Sequence, residues 1–165
     1  MCFGSVVTAM VTPFAADGGV DYKKAQELAV HLIENGSSAI CVSGTTGESP
    51  TLTSEEKIKL LVAVKEAVGN KGKVIIGTTG NATQPSIALT KEAEAAGADG
   101  ILAVVPYYNK PSQEGLYAHF KAIAASTKLP ILLYNIPGRS SINMTPETIA
   151  KLAKIENIIG VKEAS

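Results

Sequence analysis

The sequence predicts an α/β fold with a parallel sheet. Six apolar runs of β-type composition recur along the 165-residue chain, and helix-like stretches with apolar residues at helical spacing separate them. The runs are nearly continuous in apolar character, which is typical of strands covered on both faces. Because 45% of the residues are hydrophobic, the chain can bury one sizeable core. We therefore expect a single domain, or part of one.

Each predicted strand is short and rich in aliphatic residues. The strands cover Ser5 to Met10, Ala39 to Ser43, Lys73 to Gly77, Gly100 to Val105, Pro130 to Tyr134 and Asn157 to Lys162. The pattern leaves open whether they form a closed barrel or an open sheet. In both architectures ligands bind at the carboxyl ends of parallel strands, so we expect the site residues there.

The helices between the strands have recognisable starts and ends. Starts are indicated by Asp21, by Thr53 with Glu56 as a capping box, by Ser112, and by Thr145 with Pro146 at the first helical position. Ends are indicated by Gly36, Gly69 and Gly97. Lys65 is predicted to lie on an exposed helix face.

Charge and composition exclude several classes of function. Fifteen basic and fifteen acidic residues cancel, which removes the electrostatic argument for nucleic acid or an anionic membrane as a partner. No segment approaches the roughly 18 apolar residues of a membrane span, and residues 1–5 do not resemble a signal peptide. We therefore expect a cytoplasmic protein that binds small molecules.

No metal or nucleotide motif is visible. His31 and His119 lie in helical patterns without a second ligand at metal spacing, so no metal site is predicted. Cys2 and Cys41 are far apart, and Cys41 lies within a strand, which favours a buried thiol. The sequence also lacks Gly-x-Gly-x-x-Gly, the Walker loop and Gly-x-Ser-x-Gly, which argues against dinucleotide, nucleotide-phosphate and serine-hydrolase chemistry.

Lys162 ends the last apolar run and is a candidate nucleophile. Its amine would lie at the carboxyl tip of the strand, with the stem packed among aliphatic neighbours. A partly buried lysine amine more readily loses its proton, and the neutral amine can attack a ketone to form a Schiff base. A solvated surface charge is the alternative, and it is the commoner role of a lysine.

Two other segments follow predicted strands and carry polar groups. Gly44-Thr-Thr-Gly-Glu-Ser49 offers hydroxyls and backbone N–H groups that could bind a carboxylate. Tyr134-Asn-Ile-Pro-Gly-Arg139 offers a phenol for proton transfer and a guanidinium for an anion. Taken separately, each has a structural alternative: a turn, a core aromatic and a solvated charge.

Together these segments resemble the dihydrodipicolinate synthase / N-acetylneuraminate lyase family of class I, pyruvate-dependent aldolases and synthases. The resemblance covers the whole chain. It is carried by Thr8-Ala-Met-Val-Thr-Pro-Phe14, Gly44-Thr-Thr-Gly-Glu-Ser-Pro-Thr51, Pro106-Tyr-Tyr-Asn-Lys-Pro-Ser-Gln-Glu-Gly115, Tyr134-Asn-Ile-Pro-Gly-Arg139 and Gly160-Val-Lys-Glu-Ala-Ser165. Arg139 after Ile-Pro-Gly is similar to the synthases, whereas sialic acid lyases differ after Tyr-Asn-Ile-Pro.

The resemblance implies a (β/α)8 TIM barrel followed by a helical C-terminal region. The chain supplies about six βα units, and a complete barrel needs about 250 residues. We therefore expect residues 1–165 to be the N-terminal part of such a barrel, a single domain without the last barrel units and the helical region. Either the chain is a fragment, or something else closes the sheet.

The resemblance also implies a reaction: condensation of pyruvate with L-aspartate 4-semialdehyde in lysine and diaminopimelate synthesis. Lys162 matches the lysine that forms the Schiff base with pyruvate, which is bound covalently as substrate without an organic cofactor or metal. Tyr134 matches the general acid/base, and Thr45 matches the residue that links it to a second tyrosine, here Tyr108, in a proton relay.

The remaining implied roles concern binding and assembly. Thr46 matches the residue that binds the pyruvate carboxylate, and Arg139 the residue that binds the carboxylate of the aldehyde. The family's second tyrosine crosses a dimer interface, so Tyr108 implies a homo-oligomer, either a dimer or a tetramer. Ser54, Lys57 and Pro85 stand where feedback-inhibited members have histidines and a carboxylate, which favours weak inhibition by lysine.

Two alternatives remain open. One is another pyruvate-dependent 2-keto-acid aldolase or lyase of the same family. The other is a truncated, non-catalytic chain that keeps the site residues but only folds and assembles.

Overall fold

The computed structural model describes residues 3–165. The chain forms two compact units: residues 3–77 with Ala95–Asp99, and Thr78–Glu94 with Gly100–Ser165. Each unit is built on parallel strands that alternate with helices. The predicted α/β class with a parallel sheet is confirmed, and all six predicted strands are present within about one or two residues of their expected bounds.

The first unit contains three parallel strands in chain order. Its elements are β1 (Val7–Ala9), α1 (Tyr22–Glu34), β2 (Ala39–Val42), a 3-10 turn (Ser49–Thr51), α2 (Ser54–Val68) and β3 (Lys73–Gly77). Ala39 of β2 pairs with Val7 on one side and with Lys73 on the other. Every residue of β2 is buried, as expected for a strand covered on both faces.

Both helices of the first unit begin at the predicted caps. The Asp21 side chain accepts a hydrogen bond from the Lys24 N–H at 2.9 Å. Thr53 and Glu56 form the full capping box, in which each side chain binds the other residue's backbone N–H. These bonds satisfy donors that the first helical turn would otherwise leave unpaired, and each cap contributes about 1 kcal/mol.

A glycine allows the close approach of β3 to the loop after β2. A Cβ added at Gly77 would collide with the Ser43 carbonyl oxygen, and the clash is with backbone that cannot give way. Only glycine fits at this carboxyl end of β3. The contact therefore fixes the start of the loop that carries Thr45 and Thr46.

The second unit contains the other three parallel strands, also in chain order. Its elements are α3 (Thr83–Ala95), β4 (Gly100–Val104), α4 (Gln113–Ala124), β5 (Ile131–Asn135), α5 (Pro137–Ser140), α6 (Pro146–Leu152) and β6 (Ile158–Glu163). Ile101 pairs with Ile131, and Ile131 pairs with Ile158. An irregularity at Ile131/Leu132 shifts the register, so that Tyr134 faces Lys162 at the strand tips.

The predicted helix starts of the second unit are also confirmed. Ser112 accepts from the Gly115 N–H at 3.2 Å, and Thr145 accepts from the Thr148 N–H at 3.3 Å with Pro146 at the first helical position. The α4 helix buries Leu116, Phe120 and Ile123 on one face at helical spacing. The short helix α5 was not predicted, because four residues are too few to show a periodicity.

The prediction that Lys65 lies on an exposed face is wrong. Its Nζ lies 2.7 Å from Asp99 Oδ2, and its side chain is only 28% exposed. Asp99 also binds Lys73 Nζ at 3.2 Å and accepts from the Val74 N–H at 2.7 Å. Lys65 therefore connects α2 to the start of β3 through a carboxylate 34 residues away, a partner that local helical periodicity cannot reveal.

Within residues 3–165, no helix combines the length and the apolar character needed to cross a membrane. No group of three or more His, Cys, Asp or Glu side chains in the same range could hold a metal ion. Cys41 is buried in β2, in agreement with the sequence prediction, whereas Cys2 lies outside the described residues.

Candidate functional site

Tyr134 and Lys162 lie side by side at the carboxyl tips of β5 and β6. They are direct partners in the parallel ladder, and Lys162 Nζ lies 4.3 Å from the centroid of the Tyr134 ring. Tyr134 is buried, with only 4% of its surface exposed. A lysine at this distance from an aromatic ring is attracted to its π face while charged. The same arrangement brings a primary amine and a phenol to one small volume.

Lys162 itself is exposed, contrary to the expectation that its stem packs among aliphatic neighbours. Ile159 and Val161 of the same strand are 43% and 37% exposed. The reason is the position of β6, which pairs with β5 on one side and with no other strand among the residues that the structure describes. Within residues 3–165, nothing pairs with the other edge of β6.

Arg139 lies on α5, directly after β5, and is exposed. This helix starts at Pro137, whose fixed φ suits the first helical position. The Ser140 hydroxyl donates within the segment to the Ile136 or Ile142 carbonyl, at 2.8 and 3.0 Å. The guanidinium is therefore presented to solvent by a short, internally bonded segment, where its planar fork can bind a carboxylate.

Asn135 and Glu163 form the next pair of the same ladder. Asn135 is 1% exposed, and its Nδ2 lies 3.0 Å from both carboxylate oxygens of Glu163 and 2.6 Å from Asn143 Oδ1. Its Oδ1 accepts from the Met144 N–H at 3.0 Å. In the sequence, the only sign of a role for Asn135 and Glu163 is their position immediately after Tyr134 and Lys162.

Tyr108 projects from the loop after β4. It is 88% exposed, and its φ of 73° lies in the left-handed region that non-glycine residues rarely adopt. The neighbouring Asn109 side chain donates to the Asn81 carbonyl at 3.1 Å, which ties the loop to the start of α3. A large aromatic side chain held out from such a loop is a typical contact for a partner surface.

Thr45 and Thr46 belong to the first unit, in the turn after β2. Thr45 is half-buried and Thr46 is exposed. Backbone bonds close the turn, from the Glu48 N–H to the Thr45 carbonyl and from the Ser49 N–H to the Gly44 carbonyl. The adjacent Gly47 carbonyl accepts from the buried Thr12 hydroxyl at 2.7 Å. The turn is thus fixed by bonds on both sides of the two threonines.

Comparison with known proteins identifies the chain's relatives. The model of the dihydrodipicolinate synthetase family matches residues 2–165. The chain belongs to this family. A curated relative, the 4-hydroxy-tetrahydrodipicolinate synthase of Moorella thermoacetica, is 60% identical over all 165 residues, which make up 56% of that protein. The chain therefore spans about half the length of the family members it matches.

Solved structures of family members agree with the fold. The dihydrodipicolinate synthase of Cyanidioschyzon merolae with lysine bound is 55% identical, with a TM-score of 0.98 over 99% of this chain and 56% of that one. A variant described as the first monomeric dihydrodipicolinate synthase is 47% identical, with a TM-score of 0.95 over 99% of this chain and 55% of that one. The expected fold class, six βα units of a TIM-barrel family, is confirmed.

Proposed function

We propose that this chain carries the Schiff-base chemistry of a 4-hydroxy-tetrahydrodipicolinate synthase, which condenses pyruvate with L-aspartate 4-semialdehyde. The observation that supports this most is the pairing of Lys162 with Tyr134, in which Nζ lies 4.3 Å from the ring centroid. An amine nucleophile needs a proton donor and acceptor within reach, and the phenol of Tyr134 provides one. Family membership supports the same reaction.

In this proposal the first half of the reaction takes place on pyruvate. The neutral Lys162 amine attacks the ketone carbon, and a carbinolamine forms. Its hydroxyl takes a proton from Tyr134 and leaves as water, while the nitrogen lone pair completes the C=N bond of an iminium ion. The resulting phenolate then removes a proton from the methyl group, which gives an enamine and restores the Tyr134 hydroxyl.

In the second half the enamine carbon attacks the aldehyde carbon, which re-forms the iminium bond, and the new alkoxide takes a proton from the Tyr134 hydroxyl. The amino group of the semialdehyde then displaces the Lys162 amine from the iminium carbon, which closes the ring and frees the enzyme. We assign Thr45 and Tyr108 to the relay that exchanges protons with Tyr134. We assign Thr46 to the pyruvate carboxylate and Arg139 to the carboxylate of the aldehyde. The proposed steps use no metal ion and no organic cofactor.

Tyr108 links this mechanism to assembly. We infer that it acts in the site of a second copy of the chain, so that the active form is at least a dimer. Its 88% exposure and left-handed backbone support this assignment, because they hold the phenol away from its own unit's core. A homo-oligomer also agrees with the description of one related variant as the first monomeric one.

Borohydride trapping tests the proposal. Incubation with pyruvate and sodium borohydride should reduce the imine to a stable secondary amine, and peptide mapping should locate the added mass on Lys162. Lys162→Ala should remove the adduct. Lys91→Ala is the matched control, because Lys91 lies exposed on α3 in the same unit.

The same experiment separates the alternatives. An adduct on another lysine, or none, would contradict the Schiff-base assignment and favour a chain that only folds and assembles. The exposure of Lys162 favours that second candidate. If the adduct forms, the enamine can be offered a panel of aldehydes. Preference for an aldehyde other than aspartate semialdehyde would indicate another pyruvate-dependent aldolase.

A further inference from the structure

We infer that Asn135 is a positioning residue that holds the tip of β6, and with it Lys162, against Tyr134 and the segment bearing Arg139. The inference rests on the proposed function and extends it to residues that touch no substrate. Asn135 and Glu163 stand one position beyond Tyr134 and Lys162 in the same ladder. Successive residues of a strand point to opposite faces, so this second pair lies behind the first.

The polar groups of the Asn135 side chain all have partners. An asparagine amide has two N–H donors and one carbonyl acceptor. One N–H serves Asn143 Oδ1 at 2.6 Å, and the other is shared by the two Glu163 oxygens at 3.0 Å each. The carbonyl accepts from the Met144 N–H at 3.0 Å. Because Asn135 is 1% exposed, losing a partner would leave a buried polar group unsatisfied.

These bonds join three pieces of the chain. The backbone carbonyl of Asn135 accepts from the Ala164 N–H at 3.0 Å, so both its backbone and its side chain bind the tip of β6. The bonds to Asn143 and Met144 hold the far end of the segment that begins at Ile136 and carries Arg139. The Asn135 side chain therefore fixes the positions of the tip of β6 and of the Arg139 segment relative to β5.

The hydrogen bond from Asn135 changes the pKa of Glu163, and the Glu163 carboxylate in turn binds the backbone of the two residues after it. The hydrogen bond from Asn135 lowers the pKa of the Glu163 carboxyl, which keeps it ionised. Its Oε1 accepts from the backbone N–H groups of Ala164 and Ser165 at 3.0 and 3.1 Å. The carboxylate thus fixes the backbone on the C-terminal side of Lys162, while the ladder fixes the N-terminal side.

The test exchanges the hydrogen-bond donor and acceptor between positions 135 and 163. Asn135→Asp puts a carboxylate against Glu163, whereas the double variant with Glu163→Gln restores a bond in the opposite direction. Each variant is measured by the rate of borohydride trapping of pyruvate at saturating pyruvate, by the pyruvate concentration for half-maximal rate, and by thermal unfolding. Glu156→Gln is the control, because Glu156 is an exposed carboxylate just before β6.

If Asn135 positions Lys162, its substitution should change the saturated trapping rate but not the pyruvate concentration that gives half the maximal rate. Asn135→Asp should lower the saturated trapping rate about 10- to 100-fold, since displacement of a reacting group by about 1 Å costs that much. The half-saturating pyruvate concentration should stay within about twofold, because the buried Asn135 has no part in binding pyruvate in this proposal. The double variant should recover most of the rate, and Glu156→Gln should match the wild type.

Other outcomes overturn the inference in distinct ways. If folded Asn135→Asp is trapped at the wild-type rate, Asn135 does not position Lys162. If the rate falls only by the fraction of unfolded chain, the role is purely structural and the inference fails. If the wild-type chain itself forms no adduct on Lys162, the proposed function fails, and the positioning role fails with it.

Discussion

Thr83 and His119 connect α3 to α4 through a hydrogen bond of 2.9 Å between Thr83 Oγ1 and His119 Nδ1. The imidazole is 6% exposed and packs edge-on against Phe120, with its ring centroid 5.1 Å away. Its Nε2 is buried without a hydrogen-bond partner among the described residues. This environment stabilises the neutral ring, and burial lowers the pKa of His119 from 6.5 to about 4.

The unfolding free energy should therefore fall between pH 7 and pH 5. At pH 5 the unfolded chain binds a proton on His119 that the folded chain does not bind, so acid favours unfolding in this window. For this residue alone the loss is about 2 kcal/mol. His119→Leu should remove that part of the pH dependence, as measured by urea unfolding at both pH values.

The exposed His31 provides the control for this experiment. His31→Gln should keep the wild-type difference between pH 7 and pH 5. Each variant is compared with itself at the two pH values, so a general loss of stability in His119→Leu cancels. An equal pH dependence in the wild type and His119→Leu would show that the folded chain protonates His119 at its ordinary pKa.

The ion pair of Lys65 with Asp99 should contribute measurably to stability. Both side chains are partly buried, at 28% and 16% exposure, and the contact is 2.7 Å. Lys65→Ala should lower the unfolding free energy by about 1–3 kcal/mol, the range for losing a hydrogen bond to a charged group. Lys59→Ala breaks an exposed pair with Glu55 and should cost less than about 0.5 kcal/mol. Equal effects in chemical denaturation would refute this distinction.

The sequence was sufficient for the strands and the helix caps because their signals are local. Thr53 and Glu56 are three residues apart, and the strands show as continuous apolar runs. Lys65 and Asn135 could not be assigned in this way, since their partners Asp99 and Glu163 lie 34 and 28 residues away. Such contacts depend on strand register. The register at Tyr134 and Lys162 in turn depends on an irregularity at Ile131/Leu132 that no local pattern reveals.

In the candidate site, too, some features could be predicted from the sequence and others depend on distant parts of the chain. Their positions at strand ends made Lys162 and Tyr134 candidates, the family resemblance implied their roles, and the ladder places them side by side. The exposure of Lys162 was not foreseen, because it depends on what covers β6 rather than on the residues of β6 itself. The catalytic and binding roles stay predictions for all six residues: Lys162, Tyr134, Thr45, Thr46, Tyr108 and Arg139.

Tyr134→Phe should slow the trapping of pyruvate on Lys162 by about 10²- to 10⁴-fold, the usual contribution of one general acid/base. The ring is buried, and phenylalanine keeps its packing, so the fold should survive. Circular dichroism checks that the fold survives, and the trapping rate checks the loss of activity. A folded variant with most of the wild-type rate would remove Tyr134 from the mechanism, and Thr45 and Tyr108 would lose their role as its relay.

L-Lysine should bind this chain weakly or not at all. Pro85, exposed in the first turn of α3, cannot give the carboxylate that would pair with the ammonium of lysine. Isothermal titration calorimetry should show no sub-millimolar binding. Pro85→Glu should strengthen binding, with Gln84→Glu next to it as the control for added charge. Tight binding to the wild type would mean that another carboxylate serves this ligand.

The exposed apolar residues of β6 should make the chain self-associate. Ile159 and Val161 are 43% and 37% exposed. Apolar side chains on a strand with an open edge favour pairing with another chain. Sedimentation velocity should therefore find species larger than the 17.1 kDa monomer. Ile159→Lys should shift the distribution towards the monomer.

Two further variants test whether self-association depends on β6 or on another surface of the chain. Val62→Lys changes an equally exposed apolar residue on α2 and should leave the assembly unchanged. Tyr108→Ser tests the proposed contact of the loop after β4 with a second copy. If Ile159→Lys has no effect while Tyr108→Ser yields monomers, assembly runs through Tyr108 and not through β6. A wild-type chain that sediments as a monomer at every concentration would contradict both contacts, and with them the proposal that Tyr108 acts in a neighbouring site.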